Sequence, residues 1–240
     1  MATKKFNTQL SASRDDGMSG YLRRVFALMA GAVGLTAAAS YMSIWGGLLG
    51  YLFNVYTGNF TLLYYVILFG ALGISIWGQV RAFRLKPATG AMILGLYAVL
   101  MGIGLTPLIA AALSVNPASV LYAFIISAVM FVCMALFGYK TTRNLSFLGT
   151  FLMMGMIGLI LVGLASFIWP LGGTFATVVC AIGVLVFALF TAYDMQMLKR
   201  AYASIGDERS RDQLAVLGAL HLYISFIAMF QYVLSLLNRN

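Results

Sequence analysis

Four stretches of this chain carry no Asp, Glu, Lys or Arg: residues 25–80, 87–139, 144–193 and 213–238, with lengths of 56, 53, 50 and 26. A helix needs about 20 apolar residues to cross the hydrocarbon core of a bilayer. Each of the first three runs therefore holds two spans and a turn, and the fourth holds one. The expectation is an all-α polytopic membrane protein with seven transmembrane helices. Only 9% of the residues are charged, against roughly 25% in a soluble domain. Residues 1–22 read as a polar cytoplasmic tail and 23–240 as the seven-helix domain. The first 24 residues lack the short apolar segment of a cleavable signal peptide.

The net charge of +9 raises nucleic acid as a partner, but the distribution of the charge rejects it. Lys4, Lys5, Arg14, Arg23 and Arg24 precede the first run. Arg81, Arg84 and Lys86 follow it, Lys140 and Arg143 follow the second, and Lys199, Arg200, Arg209 and Arg211 follow the third. The turns within the runs carry none, so 14 of the 15 basic side chains fall on one side of the membrane. That is the positive-inside pattern. It predicts a multi-pass protein of the cell inner membrane with the N-terminus cytoplasmic and, after seven spans, the C-terminus outside.

Asp194, in TAYDMQMLKR, is the one acidic side chain inside the apolar body; Asp15, Asp16, Asp207, Glu208 and Asp212 lie in polar segments. A carboxylate near hydrocarbon is expensive, and such groups face a cavity, a partner or a proton path. Lys199 is five residues on, which sets Asp194 roughly 7–8 Å inside that helix end at 1.5 Å per residue. No cation stands three or four positions away, so any ionic partner must come from another helix. Arg81 and Arg84, at the same depth, are the latch or ion-pair candidates; the plainer alternative is that they snorkel to phosphate head groups. His221, the single histidine, and Ser225 share a stripe of the last helix. His221 reads either as a hydrogen-bonded packing residue or as a titrating, ion-lining one.

The helices are expected at about 23–45, 60–80, 88–113, up to 139, 147–168, 174–199 and 214–237. Pro87 opens the third, and Pro107 inside it frees a carbonyl. Gly31 and Gly34 share a face and predict close packing of the first helix. Asn144 or Ser146 would cap the fifth. Turns are expected around Asn54–Gly58–Asn59, at Asn116–Pro117 and at Trp169–Gly173, with a solvated loop over residues 201–212.

Several chemistries fail on residue supply. One His and two Cys in apolar runs cannot build a typical zinc site. Asp194, His221 and Ser225 have the residue types of a serine-protease triad, but His221 and Ser225 sit one turn apart on one helix, without a Gly-x-Ser-x-Gly elbow. All five lysines stand at the charged ends, which excludes a retinal Schiff base. No phosphate-binding glycine loop is present. The chain is not expected to be an enzyme or to carry a cofactor.

The stretches RRVFALMAGAVGLTAAAS (23–40), LYAVLMGIGLT (96–106), FGYKTTRNLSFLGTFLMMGMIGLI (137–160), TAYDMQ (191–196) and ALHLYISFI (219–227) resemble the transmembrane Bax inhibitor motif family, in its bacterial branch. The resemblance implies seven helices with the seventh central among the other six. It implies two functions: a proton-sensitive calcium leak, or a regulator that associates with a membrane-bound AAA protease. In the leak members, two carboxylates share a proton near the cytoplasmic mouth. Asp194 matches the one on the sixth helix. The other belongs to an LYxDF context, which here reads Leu222-Tyr223-Ile224-Ser225-Phe226, so Ser225 replaces the second acid. Asn144 likewise replaces the acid usual before LS. With Ser225 opposite, the like-charge repulsion of a carboxylate pair is gone. A calcium site with a single carboxylate would also be weak.

Two readings follow. In one, a cation or proton-responsive leak pathway is gated near Asp194, with Arg81 or Arg84 as latch and Ser225, His221 and Tyr193 as polar lining. Calcium then enters as a transported ion and Asp194 as its weak ligand. In the other, the protein conducts nothing, binds a membrane protease or other membrane partners, and holds Asp194 in a structural ion pair.

Overall fold

The computed structural model describes residues 2–54, 59–81, 84, 86–168 and 172–239, with side chains from residue 17 onward except at 54, 167 and 168. Eight helices run in order: α1 (Ala2–Trp45), α2 (Leu49–Leu52), α3 (Leu62–Arg81), α4 (Pro87–Val115), α5 (Ala118–Lys140), α6 (Ser146–Ile168), α7 (Gly173–Ser204) and α8 (Glu208–Leu237). Seven are long and apolar enough to cross a membrane, all but α2. Between α2 and α3, β1 (Phe53–Asn54) pairs antiparallel with β2 (Asn59–Phe60). The centre of the expected turn at Gly58 lies outside the described residues, as do Trp169 and Pro170.

The helix starts follow local chemistry. Pro87 occupies the first turn of α4, where its missing N–H has no role. The Asn116 side chain accepts from the Ala118 N–H at 3.0 Å, and Asn144 accepts from the Ser146 N–H at 3.0 Å. Asn144, rather than Ser146, thus caps α6.

Three boundaries differ from the sequence reading. The backbone is helical from Ala2, so α1 begins well before the expected start near residue 23. At the other junction, the loop expected over 201–212 shrinks to residues 205–207. Helix α7 runs on to Ser204 because Tyr202 is buried, its ring tilted at 34° against that of Tyr21 with centroids 4.8 Å apart. Helix α8 starts early because the Asp207 carboxylate caps it, accepting from the Ser210 N–H at 2.9 Å. That contact stabilises the ionised form and lowers the Asp207 pKa below its ordinary value.

Helix α8 is the centre of the bundle. Over its most apolar window 72% of residues are buried, against 11% for α6. It packs on α1, α4, α5 and α7. A helix surrounded by helices must be apolar on every side, and α8 buries Leu214, Met229, Phe226, Tyr223, Ile227 and Leu220, which at about 100° per residue spread over most of its circumference.

Gly31 and Gly34 do not make the close contact expected of them: a Cβ at either would meet nothing within 4 Å. The packing stripe of α1 is instead Val25, Met29, Ala32, Thr36, Ser40 and Ser43, all buried and spaced at helical three- and four-residue intervals. The close approach comes from the partner: a Cβ on Gly102 of α4 would stand 2.8 Å from the Ala39 Cβ. With no side chain there, hydroxyls reach backbone carbonyls across the seam. Thr36 donates to Ala98 O at 3.0 Å and Ser40 to Gly102 O at 2.7 Å.

Candidate functional site

Asp194 sits on α7 where that helix crosses α8, and is only 6% exposed. Ten residues separate it from the end of α7 at Ser204, about 15 Å along the axis, which is deeper within its helix than Lys199 alone suggested. Close by, α5 comes very near α7: Gly138 of α5 rests on the Ala192 backbone, leaving no room for a Cβ.

Two side chains from α8 meet the carboxylate. Ser225 Oγ donates to Asp194 Oδ2 at 3.3 Å. His221 Nδ1 stands 3.9 Å from Asp194 Oδ1, too far for a hydrogen bond, and it has no other partner among the described residues. The sequence-level candidates Asp194, His221 and Ser225 are therefore brought together. Tyr193 is not among them; it packs against Gly149 of α6.

The far side of the imidazole fixes its tautomer. His221 Nε2 lies 3.1 Å from Gln79 Oε1, and Gln79 Nε2 donates to Ser75 Oγ at 3.0 Å. With the amide oxygen of Gln79 accepting, Nε2 carries the hydrogen, and Nδ1 of a neutral ring offers a lone pair. That lone pair faces a carboxylate oxygen. With neither group protonated, two acceptors confront each other across 3.9 Å. Beyond Ser75 the polar residues continue: Tyr97 hydrogen-bonds Ser75, its ring meets that of Tyr223 at 5.7 Å, and the Tyr223 hydroxyl lies 2.6 Å from Thr36 Oγ1.

Arg81 and Arg84 are elsewhere. The Arg81 guanidinium lies 5.5 Å from the Trp77 ring centroid, and both arginines are exposed. Among the described residues, no lysine or arginine comes within ion-pair distance of Asp194. Helix α3 reaches the site through Gln79 instead. Gln79 escaped the sequence reading because an amide in a charge-free run has no charge to mark it.

A second cluster lies half a turn along α7. Gln196 Nε2 donates to Arg143 O at 2.8 Å, and Gln196 Oε1 accepts from the Leu145 N–H at 2.9 Å. Lys199 donates to Tyr139 O at 2.9 Å, and Arg200 to Asn144 Oδ1 at 2.8 Å. The α5–α6 loop is thereby fastened to α7.

The donor set at Asp194 suits a passing cation better than a resident one. Its oxygens are two from one carboxylate and one from a hydroxyl, and calcium takes six to eight. Among the described residues no group of three His, Cys, Asp or Glu side chains gathers to hold a metal.

Ser225, at the place of the second acid in the resembled motif, is thus the residue that touches Asp194. The family model described as "Inhibitor of apoptosis-promoting Bax1" covers residues 18–240. The chain belongs to this family. An uncharacterized protein, RP147, of Rickettsia prowazekii is 32% identical over 97% of this chain and 95% of its own length. Two further relatives match over about half of each chain. The "Inner membrane protein YbhL" of Escherichia coli is 42% identical over 49% of this chain and 50% of its own length. An uncharacterized Caulobacter vibrioides protein is 41% identical over 51% of this chain and 49% of its own. This Bax inhibitor family member is a multi-pass inner membrane protein of seven candidate spans, in a family that is generally non-enzymatic.

Proposed function

We propose that this protein is a proton-responsive cation leak pathway gated at Asp194. The observation that carries the reading is the meeting, inside the bundle, of Asp194 Oδ1 with His221 Nδ1 at 3.9 Å while Ser225 holds Oδ2. A lone carboxylate facing an unpartnered imidazole nitrogen is a group whose charge changes with one proton. With the proton removed, Asp194 attracts a cation; with the pair doubly protonated, the same position repels one. The neighbours on α3 and α5 are neutral: Gln79 and Ser75 on one side, Gly138 on the other. The charge of the pair is therefore set by Asp194 and His221 alone among the described side chains that meet it. Arg81 and Arg84 would act as latches only after the end of α3 turned inward. In this reading the basic end of the bundle, which holds this group, faces the cytoplasm and the α8 C-terminus lies outside, as the positive-inside pattern expects.

Calcium flux into proteoliposomes tests the proposal, comparing wild type with Asp194→Asn across pH 6–8. Wild-type flux above that of empty vesicles, lost in the variant, supports it. Flux equal to that of empty vesicles in both proteins removes it and leaves the second reading, a non-conducting regulator. Co-purification of a membrane-bound AAA protease after crosslinking would then be the expected positive result.

A further inference from the structure

Helices α1 and α5 pack on the rest of the bundle more than on each other: α1 lies on α4 and α8, and α5 on α7 and α8. The seam between them is crossed in the middle by aromatic rings. Phe26 of α1 meets Phe131 of α5 edge to face at 6.4 Å, and Phe131 rests on Phe226 of α8 at 5.7 Å. On the basic side of this crossing the seam opens into a groove of about 670 Å³. Leu22, Phe26, Val132 and Leu136 form its walls, and Met195 of α7 forms part of its floor.

Its rim is different in kind. Arg23 lines it and is exposed. The neighbouring Arg24 is engaged by Asp212, whereas Arg23 meets no acid among the described residues. Across the groove stands Tyr139, with the Lys199 ammonium 4.8 Å from its ring centroid and the exposed Lys140 next in sequence. An apolar trough running from a cationic rim toward the bilayer centre has the shape and charge order of a phospholipid: acyl chain inward, phosphate outward. From Tyr139 to Phe131 the trough follows eight residues of helix, about 12 Å, the reach of the upper part of an acyl chain.

We infer that this α1–α5 groove is a binding site for an anionic phospholipid of the leaflet at the basic end, with its phosphate at Arg23 and one acyl chain lying between Leu22 and Leu136. Charge complementarity selects the anionic headgroup over a zwitterionic one, since Arg23, Lys140 and Lys199 leave the rim positive. The site stands apart from the proposed leak: none of its residues touches the Asp194 carboxylate.

Native mass spectrometry of the full chain in detergent tests it, titrating phosphatidylglycerol and phosphatidylcholine with identical acyl chains. Phosphatidylglycerol should remain bound in preference. Arg23→Gln should reduce that preference about fivefold, as expected for one basic side chain near a charged surface. Val132→Trp, placed on an exposed wall residue, should displace both lipids without altering any charge; Leu136→Trp serves the same purpose if the first variant is poorly folded. Equal retention of the two lipids would overturn the inference. So would an Arg23→Gln protein with unchanged preference. Loss on Arg23→Gln with full retention in both wall variants would overturn it too, because the lipid would then be held by surface charge without the groove.

Discussion

Two polar clusters share α7, half a turn apart, and they are built on opposite terms. Gln196 spends both ends of its amide on the α5–α6 loop, at 2.8 and 2.9 Å, so donor and acceptor are both matched. Asp194 holds one hydrogen bond of 3.3 Å, a histidine at 3.9 Å, and a ring nitrogen with no partner. Both residues are buried, at 5% and 6% exposure, so burial alone does not separate them. Satisfaction does. A matched amide fastens one element to another. An under-satisfied carboxylate costs stability and is retained where its charge is used.

The comparison breaks most readily at stability. Gln196→Ala strands the Leu145 N–H and the Arg143 carbonyl and should destabilise the protein by about 2 kcal/mol, read as a lowered midpoint of thermal unfolding in detergent. Asp194→Asn removes a buried charge while keeping its shape. It should leave that midpoint within about 1 kcal/mol of wild type or raise it, even as it abolishes flux. If Asp194→Asn unfolds the protein more easily than Gln196→Ala does, Asp194 is a structural anchor and the contrast fails.

His221→Gln sharpens the functional half. It preserves a hydrogen-bonding side chain toward Gln79 but removes the second proton-binding group. Its flux should persist with a shallower dependence on pH between 6 and 8 than that of wild type; an unaltered pH profile would place the sensing group elsewhere. Ser225→Ala is a smaller change, a single weak hydrogen bond at 3.3 Å, worth about 0.6 kcal/mol in a membrane interior. It should slightly alter the pH profile without stopping flux.

The smallest effect is expected at Asp207, whose carboxylate is solvated and whose cap is complete. Its folded pKa is lowered by the Ser210 contact. The stabilising contribution is therefore present above the ordinary Asp value of about 3.9 and is lost as pH falls through the folded value. Protection of the Ser210 amide, measured against its intrinsic exchange rate at each pH, should fall on acidification below about pH 4, with that of the rest of α8 unchanged. Asp207→Asn should show the same Ser210 protection at both pH values.

Much of the architecture was legible because hydrocarbon imposes its own grammar. Charge-free runs marked the seven spans, and Pro87, Asn116 and Asn144 marked their starts. The candidate site was half legible. A lone acid in an apolar run stands out on charge alone, and a motif match pointed to Ser225 as its neighbour. Neutral amides gave no such signal, so Gln79 and Gln196 were missed. The glycine pair at 31 and 34 misled for a related reason: composition shows that a helix has a small face, not which neighbour, if any, lies against it.

By itself the sequence determined how many times the chain crosses the membrane and where charge is tolerated, because the penalty for charge in hydrocarbon acts on each segment separately. Tertiary structure alone decided which imidazole nitrogen faces Asp194, that α3 contributes an amide rather than an arginine, and where α1 and α5 part to leave a groove. Those outcomes depend on how helices distant in sequence rotate against one another, which no single segment encodes.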